Sequence, residues 1–160
     1  MFLTIHATSA IVIGQAITNP AGAFFIGLVS HYVFDAIPHG DEEALDLKKI
    51  GFKNFLLLAL ADHIFVIINF ILLFWLKPDL IITPGIIAAV LGAILPDWLG
   101  GFYQLIKRWH LPGEIILAVI LKPLYVFHQS CHRQIIKTEI NLAAGIALQI
   151  LLLIGSWWII

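Results

Sequence analysis

Seven residues able to ligate a metal or carry a proton, His6, His31, Asp35, Asp62, Asp97, His128 and His132, stand in stretches that are otherwise almost wholly apolar. An ionisable group within a membrane span costs roughly 2.5–3.5 kcal/mol on insertion scales, so it needs a partner or a function. His31 and Asp35 are four positions apart. On a helix that spacing puts both side chains on one face a turn apart, where they reach one ion or each other. His128 and His132 repeat the spacing. Either pair alone is a weak signal, because long helices acquire such pairs by chance. Taken together, the imidazoles and carboxylates make a mixed donor set that suits a divalent transition metal, Zn first and Mn or Fe as alternatives, as one ion or two.

The flanking residues leave several roles open. His39 and Asp41 follow Pro38, and either add ligands, cap the mouth of the site or sit solvated in a loop. Asp62 and His63 are adjacent, so on a helix they point about 100° apart. Asp62 is taken as the inward group and His63 as a hydrogen-bonded histidine. Asp97 follows Pro96 at an expected helix end, which aims its carboxylate into a cavity or into solvent. His6 either joins the site or bonds a carbonyl. His110, near Lys107 and Arg108, reads as a solvent-facing loop residue, and the lone Cys131 as a small core residue with no intrachain disulfide to make.

The elements that must position these residues follow from composition. Of 160 residues 61% are hydrophobic and 12% charged, against roughly 45–50% and about 25% in soluble domains. The mean hydropathy is +0.99. A chain this short cannot hide that excess in its own core, so apolar surface must face lipid. The expected fold is an all-α polytopic membrane bundle, a single domain over 1–160, with about five transmembrane helices and a short interfacial helix. A net charge of -1 gives no basic footprint for nucleic acid. The N-terminus lacks the basic region of a signal peptide and reads as a retained first helix.

The expected spans are 2–18, 20–37, 54–76, 84–97 and a last helix from Pro123 to the end, with Pro20 and Pro84 as helix starts. Gly14, Gly22 and Gly27 would let the first two helices approach closely. A polar interlude, 40–53, holds a short amphipathic helix, and Trp157-Trp158 forms an interfacial anchor. With the 114–121 piece lying along the interface there are five spans, and the candidate residues fall toward one face. With that piece spanning, His128 and His132 move to the opposite face. Charge favours the first arrangement, since Lys48, Lys49, Lys53, Lys107, Arg108, Lys122, Arg133 and Lys137 then share the candidate face and Lys77 lies opposite. By the positive-inside rule that face is cytoplasmic in an inner or plasma membrane, with the N-terminus inside and the C-terminus external.

At these residues the chain resembles the membrane-bound metal-dependent hydrolase family, similar in motif style to helical zinc-dependent phospholipases C. The matching elements are Ser30-His31-Tyr32-Val33-Phe34-Asp35, His6 in Thr4-Ile5-His6, Pro96-Asp97, and His128 through His132-Arg133. The Ser-His element lies second rather than late, Thr and His are not adjacent, and Asp97 is followed by Trp98-Leu99 without a second acid. The resemblance implies hydrolysis of a phosphoester or lipid. The mechanism expected for it at the cytoplasmic face is attack by a metal-activated water, with the histidines as ligands and Asp62 or Asp97 as the proton acceptor, though spacing does not separate ligand from base. No Gly-rich phosphate loop or Gly-x-Ser-x-Gly elbow is present. Two rivals use the same residues: a metal-ion or proton transporter, and a non-catalytic scaffold whose metal is structural. Reporters fused after Lys49 and after Arg108 should be cytoplasmic and a C-terminal reporter external. A cytoplasmic C-terminal reporter would refute this topology.

Overall fold

The structure, a computed structural model, describes residues 1–40, 47–110, 114–135 and 140–160, without the side chains of 47–48 and 132–135. Among the described residues there are six helices and no strand: α1 (Leu3–Ala16), α2 (Pro20–Asp35), α3 (Leu47–Leu76), α4 (Pro84–Trp109), α5 (Glu114–Ile135) and α6 (Leu142–Ile159). Pro20 and Pro84 open α2 and α4, each after a capping residue: Asn19 accepts from the Gly22 amide and Thr83 from the Ile86 amide. Proline suits the first helical position because its missing N–H would have had no intrahelical partner there.

The outer surface is apolar. Phe25, Val29, Ile67, Ile71, Trp75, Ile115 and Val119 are among many large hydrophobic side chains left exposed, an arrangement that needs hydrocarbon rather than water around it. Helices α4, α6, most of α3 (Lys49–Leu76) and α5 over Glu114–Cys131 are long and apolar enough to cross a bilayer. α1 is apolar but shorter, at 14 residues. It rises about 21 Å, less than the hydrocarbon thickness of about 30 Å.

α1 lies at the centre, buried along most of its length and packed against α2, α3, α4 and α6. α4 takes α1 and α2 along its first half. The contact is made by small residues: Ala10, Ala23, Ala89 and Ala93 form one buried cluster. A side chain on Gly27 would run into the Ala89 backbone, and one on Gly92 into the Phe24 carbonyl. Close backbone approach is how membrane helices associate when lipid is as apolar as their side chains. Sequence reading assigned the glycines to an α1–α2 hairpin. Instead Gly14 and Gly27 both abut α4, while Gly22 makes ordinary contact with Ile17 and Asn19.

Two boundaries differ from expectation. The fourth span does not stop at Pro96-Asp97; α4 runs through Pro96 to Trp109 and ends at His110, in the left-handed region with φ 48. Neighbouring groups can satisfy the backbone that an interior proline frees in a packed membrane helix, so the helix continues. The expected last helix is two, because α5 passes through Pro123 and α6 starts afresh after Asn141, whose side chain accepts from the Ala144 amide. The first turns of α3 and the end of α4 meet where Phe52 packs on Trp109 and Arg108 lies 5.8 Å over the Phe52 ring. Lys49, Lys53, Lys107 and Arg108 therefore gather at one end, and Lys77 lies at the other beside Trp157 and Trp158.

Gly92→Ala should lower the thermal midpoint of the detergent-solubilised protein, since overpacking costs typically 1–3 kcal/mol. Gly101, with nothing within 4 Å of an added Cβ, should accept alanine with no loss or a gain of about 0.5–1 kcal/mol. Equal midpoints for the two variants would contradict the α2–α4 contact.

Candidate metal centre

The inner ends of α1 and α2, the middle of α4 and the second half of α5 meet around His31. Its ring is fully buried and its Nδ1 donates to the carbonyl of Ala93 at 2.8 Å. A carbonyl only accepts, so Nδ1 carries a proton and Nε2 is the nitrogen that faces inward. Around Nε2 lie Asp35 Oδ2 at 3.0 Å, His128 Nε2 at 3.1 Å and Asp97 Oδ1 at 3.9 Å. His128 Nε2 is in turn 3.5 Å from Asp35 Oδ2 and 3.8 Å from Asp97 Oδ1.

This donor set fits a cation. An imidazole lone pair and a carboxylate oxygen at 3.0 Å repel unless a proton or a metal ion stands between them. Tetrahedral coordination with bonds of about 2.0–2.1 Å sets donor atoms roughly 3.3–3.4 Å apart, inside the spread of the distances around His31. Among the described residues, two groups of three have donor atoms within 4.8 Å of one another, His6 with His31 and Asp35, and His31 with Asp97 and His128. They share His31, whose Nδ1 is engaged, so its one remaining nitrogen serves one ion. A buried ring fixed by a carbonyl is the usual support of a metal-ligating histidine.

His6 completes the buried side. Its Nε2 is 3.1 Å from Asp35 Oδ1, its ring stacks on that of His31 with centroids 4.2 Å apart, and its Nδ1 has no partner among the described residues. The Met1 amino group also lies 3.1 Å from Asp35 Oδ1. Tyr32 sets its ring edgewise to His31 and His128. Asp97 differs from the others in being 32% exposed. Asp97 and His128 line a large cavity bounded by α3, α4, α5 and α6, whereas His6, His31 and Asp35 do not.

Asp62 has another task. Its carboxylate accepts from the amides of Leu3 at 2.7 Å and Thr4 at 3.3 Å and from the Thr4 hydroxyl at 2.7 Å. It caps the start of α1 from α3, where unpaired N–H groups and the positive end of the helix dipole favour an anion. It belongs to neither group of donors. The side chain of His132 and the whole of Asp41 lie outside the described residues. His39 is buried, bonded to the Ile37 carbonyl, and apart from both groups. His63 donates to the Ala59 carbonyl and accepts from the Trp98 indole, and His110 pairs with Glu114 at 2.9 Å.

Sequence reading missed Thr4 as the partner of Asp62 and the Ala93 carbonyl as the support of His31. No sequence signal marks the second, because the amide that Pro96 lacks would serve the Gly92 carbonyl and not that of Ala93. No protein-family model matches this chain, and no curated protein or solved structure matches it.

Metal retained by the purified protein, measured by elemental mass spectrometry, should fall at least about tenfold in His31→Ala, the scale seen even for supporting residues. It should be unchanged in His110→Ala. Asp62→Ala should keep its metal but lose about 0.5–2 kcal/mol of stability, as loss of a cap does. Equal metal loss in all three would mean general misfolding rather than a ligand set.

Proposed function

We propose that this protein is a membrane-embedded metal-dependent hydrolase acting on a phosphoester or lipid ester from the face that bears the basic residues. The observation that carries the reading is the two-sided cluster: His31, Asp35 and His6 are sealed among α1, α2 and α4, while Asp97 and His128 are presented to a cavity. The motif elements around His31 and Asp97 support the same reading. A divalent transition metal, Zn first and Mn or Fe as alternatives, would supply a Lewis acid for the phosphoryl or acyl oxygen and bring a water pKa to about 7.

His31, Asp35 and His128 would hold the ion, with the Ala93 carbonyl keeping Nε2 of His31 free for it. His6 orients Asp35 through Oδ1 and leaves Oδ2 toward the donors. Asp97, the exposed carboxylate, is the proton acceptor: it takes a proton from the attacking water as the new bond to phosphorus or carbon forms. It returns the proton to the leaving oxygen as the old bond breaks. Asp62, with both oxygens bonded to α1, is left out of this role.

Access comes from one side in this reading. From Leu56, where the exposed apolar band of α3 begins, to Asp62 the helix rises about 9 Å, so the cluster lies inside the bilayer nearer the basic end. By the positive-inside rule that end is cytoplasmic and the end of α6 external. Transport would need ligating or titratable groups leading to the far face. On that path Thr8, Asn69 and Trp157 bond to one another, with Asn69 donating to Thr8 and accepting from Trp157. These groups join α1, α3 and α6 and none titrates near neutral pH.

Asp97→Asn should keep the bound metal and lower kcat for a phosphodiester or lipid ester by about 10²–10⁴, the range for a removed general base. In sealed vesicles a membrane-impermeant chelator should strip the metal from the basic face and not from the other. Stripping from both faces, or metal accumulation in proteoliposomes that Asp35→Asn abolishes, would replace the hydrolase with a transporter.

A further inference from the structure

The backbone of α3 packs along α1, and α3 otherwise meets α4 and α6 only through side chains, at Phe52–Trp109 near one end and at Leu73, Ile86 and Trp157 near the other. Long side chains also form hydrogen bonds across, Trp98 to His63 and Trp157 to Asn69. Between them lies a cavity of about 1930 Å³, well above the roughly 300–1,000 Å³ of small-molecule sites. Its walls below the cluster come from the first half of α3 and from α4 and α5, including Phe55, Ala59 and Leu105. Above the cluster they come from α3 and α6, including Phe65, Ile68, Leu72 and Leu153. Asp97 and His128 sit at the junction of the two limbs.

We propose that this cavity is a site for one bilayer lipid. Its acyl chain lies in the upper limb between α3 and α6, its head points to the basic end, and its linking ester or phosphoester lies at Asp97 and His128. The proposal rests on the hydrolase reading for the last of these placements, and the binding part stands on geometry alone.

Four observations fix the occupant. The walls of the upper limb are apolar apart from groups already hydrogen-bonded, such as Asn69 and Gln149. Phe65, Ile68, Ile150 and Ile154 line the cavity and are apolar and exposed, so the rim between α3 and α6 calls for hydrocarbon rather than water. From Asp62 to Leu72 α3 rises about 15 Å, which is one leaflet's share of a hydrocarbon core about 30 Å thick. The lower limb ends beside Ile50, next to Lys49, Lys53 and the Arg108–Phe52 pair, where an anionic head meets positive charge. A lipid of the basic-side leaflet already has this orientation, head down and chain up. It reaches the cluster by moving sideways and sinking along α3. A water-soluble phosphoester leaves the upper limb unfilled.

The test is native mass spectrometry of the full chain released from nanodiscs of palmitoyl-oleoyl phosphatidylethanolamine and phosphatidylglycerol. The wild type should retain one lipid. Leu153→Trp in the upper limb and Leu99→Trp near the junction should each lower the retained fraction at least about tenfold, as filling a well-fitted space does. Val29→Trp on the outer face of α2 should retain lipid as the wild type does. A wild type that leaves the nanodisc bare, or tryptophan variants that retain lipid undiminished, would overturn the lipid site. The wild-type result decides even where a variant fails to fold. Retention lost in Leu153→Trp, together with no cleavage of any lipid by the metal-loaded wild type, would leave the lipid site standing and remove the hydrolase. Cleavage of a soluble phosphodiester by a wild type that retains no lipid would do the reverse.

Discussion

The hydrogen bond from His31 Nδ1 to the Ala93 carbonyl, 2.8 Å long, ties the packing of the bundle to the state of its central histidine. A side chain on α2 can reach the backbone of α4 because the two helices touch through Gly27, Gly92 and the alanines between them. Were the helices held a few ångströms further apart by larger side chains, His31 would have to find another acceptor, and the side of the ring that faces Asp35 and His128 would no longer be determined. The small-residue interface thus positions His31 as well as joining the two helices.

Burial of Asp35 imposes a second condition. A carboxylate removed from water needs compensation on both oxygens. Oδ1 has His6 and the Met1 amine, each at 3.1 Å, while Oδ2 faces His31 and His128. His6 reaches it because α1 starts beside the end of α2. That start is held by Asp62 from α3, which bonds the first amides of α1, and by Gln149 from α6, which accepts from the Phe2 amide at 2.8 Å. Three helices therefore converge on the first turn of α1, and two of them contribute side chains that appeared in the sequence as isolated polar residues in apolar runs.

Much of this was legible before any coordinates. The apolar excess required a helical membrane bundle, and the four-residue spacing of His31 and Asp35 placed them on one face, as the ion-pair distance of 3.0 Å shows. The association of His128 with them was expected only with 114–121 lying along the interface; that piece is instead part of α5, long and apolar enough to cross a bilayer over Glu114–Cys131, and His128 still reaches His31. What spacing could not separate was Asp62 from Asp97. Both are acids inside apolar helices, and their difference arises from what lies opposite: the open amides of α1 for Asp62, a cavity and two imidazoles for Asp97. That is tertiary information. Helix ends were misread for a related reason, because Pro96 and Pro123 are local breakers that neighbouring helices override.

The shared histidine also constrains how many ions the cluster can use. His31 belongs to both donor groups, yet with Nδ1 bonded to Ala93 it has one remaining nitrogen, so filling one group through it excludes filling the other in the same way. Of the two, the group with Asp97 and His128 is the one that borders the cavity. The group with His6 is enclosed by protein, and the stacked His6 ring leaves little space beside His31. An ion held by His31, Asp35 and His128 would have His6 acting on it through Asp35. A second ion would need donors other than His31 Nε2. Through His31 the cluster can therefore seat one ion, with His6 standing as the partner of Asp35 Oδ1.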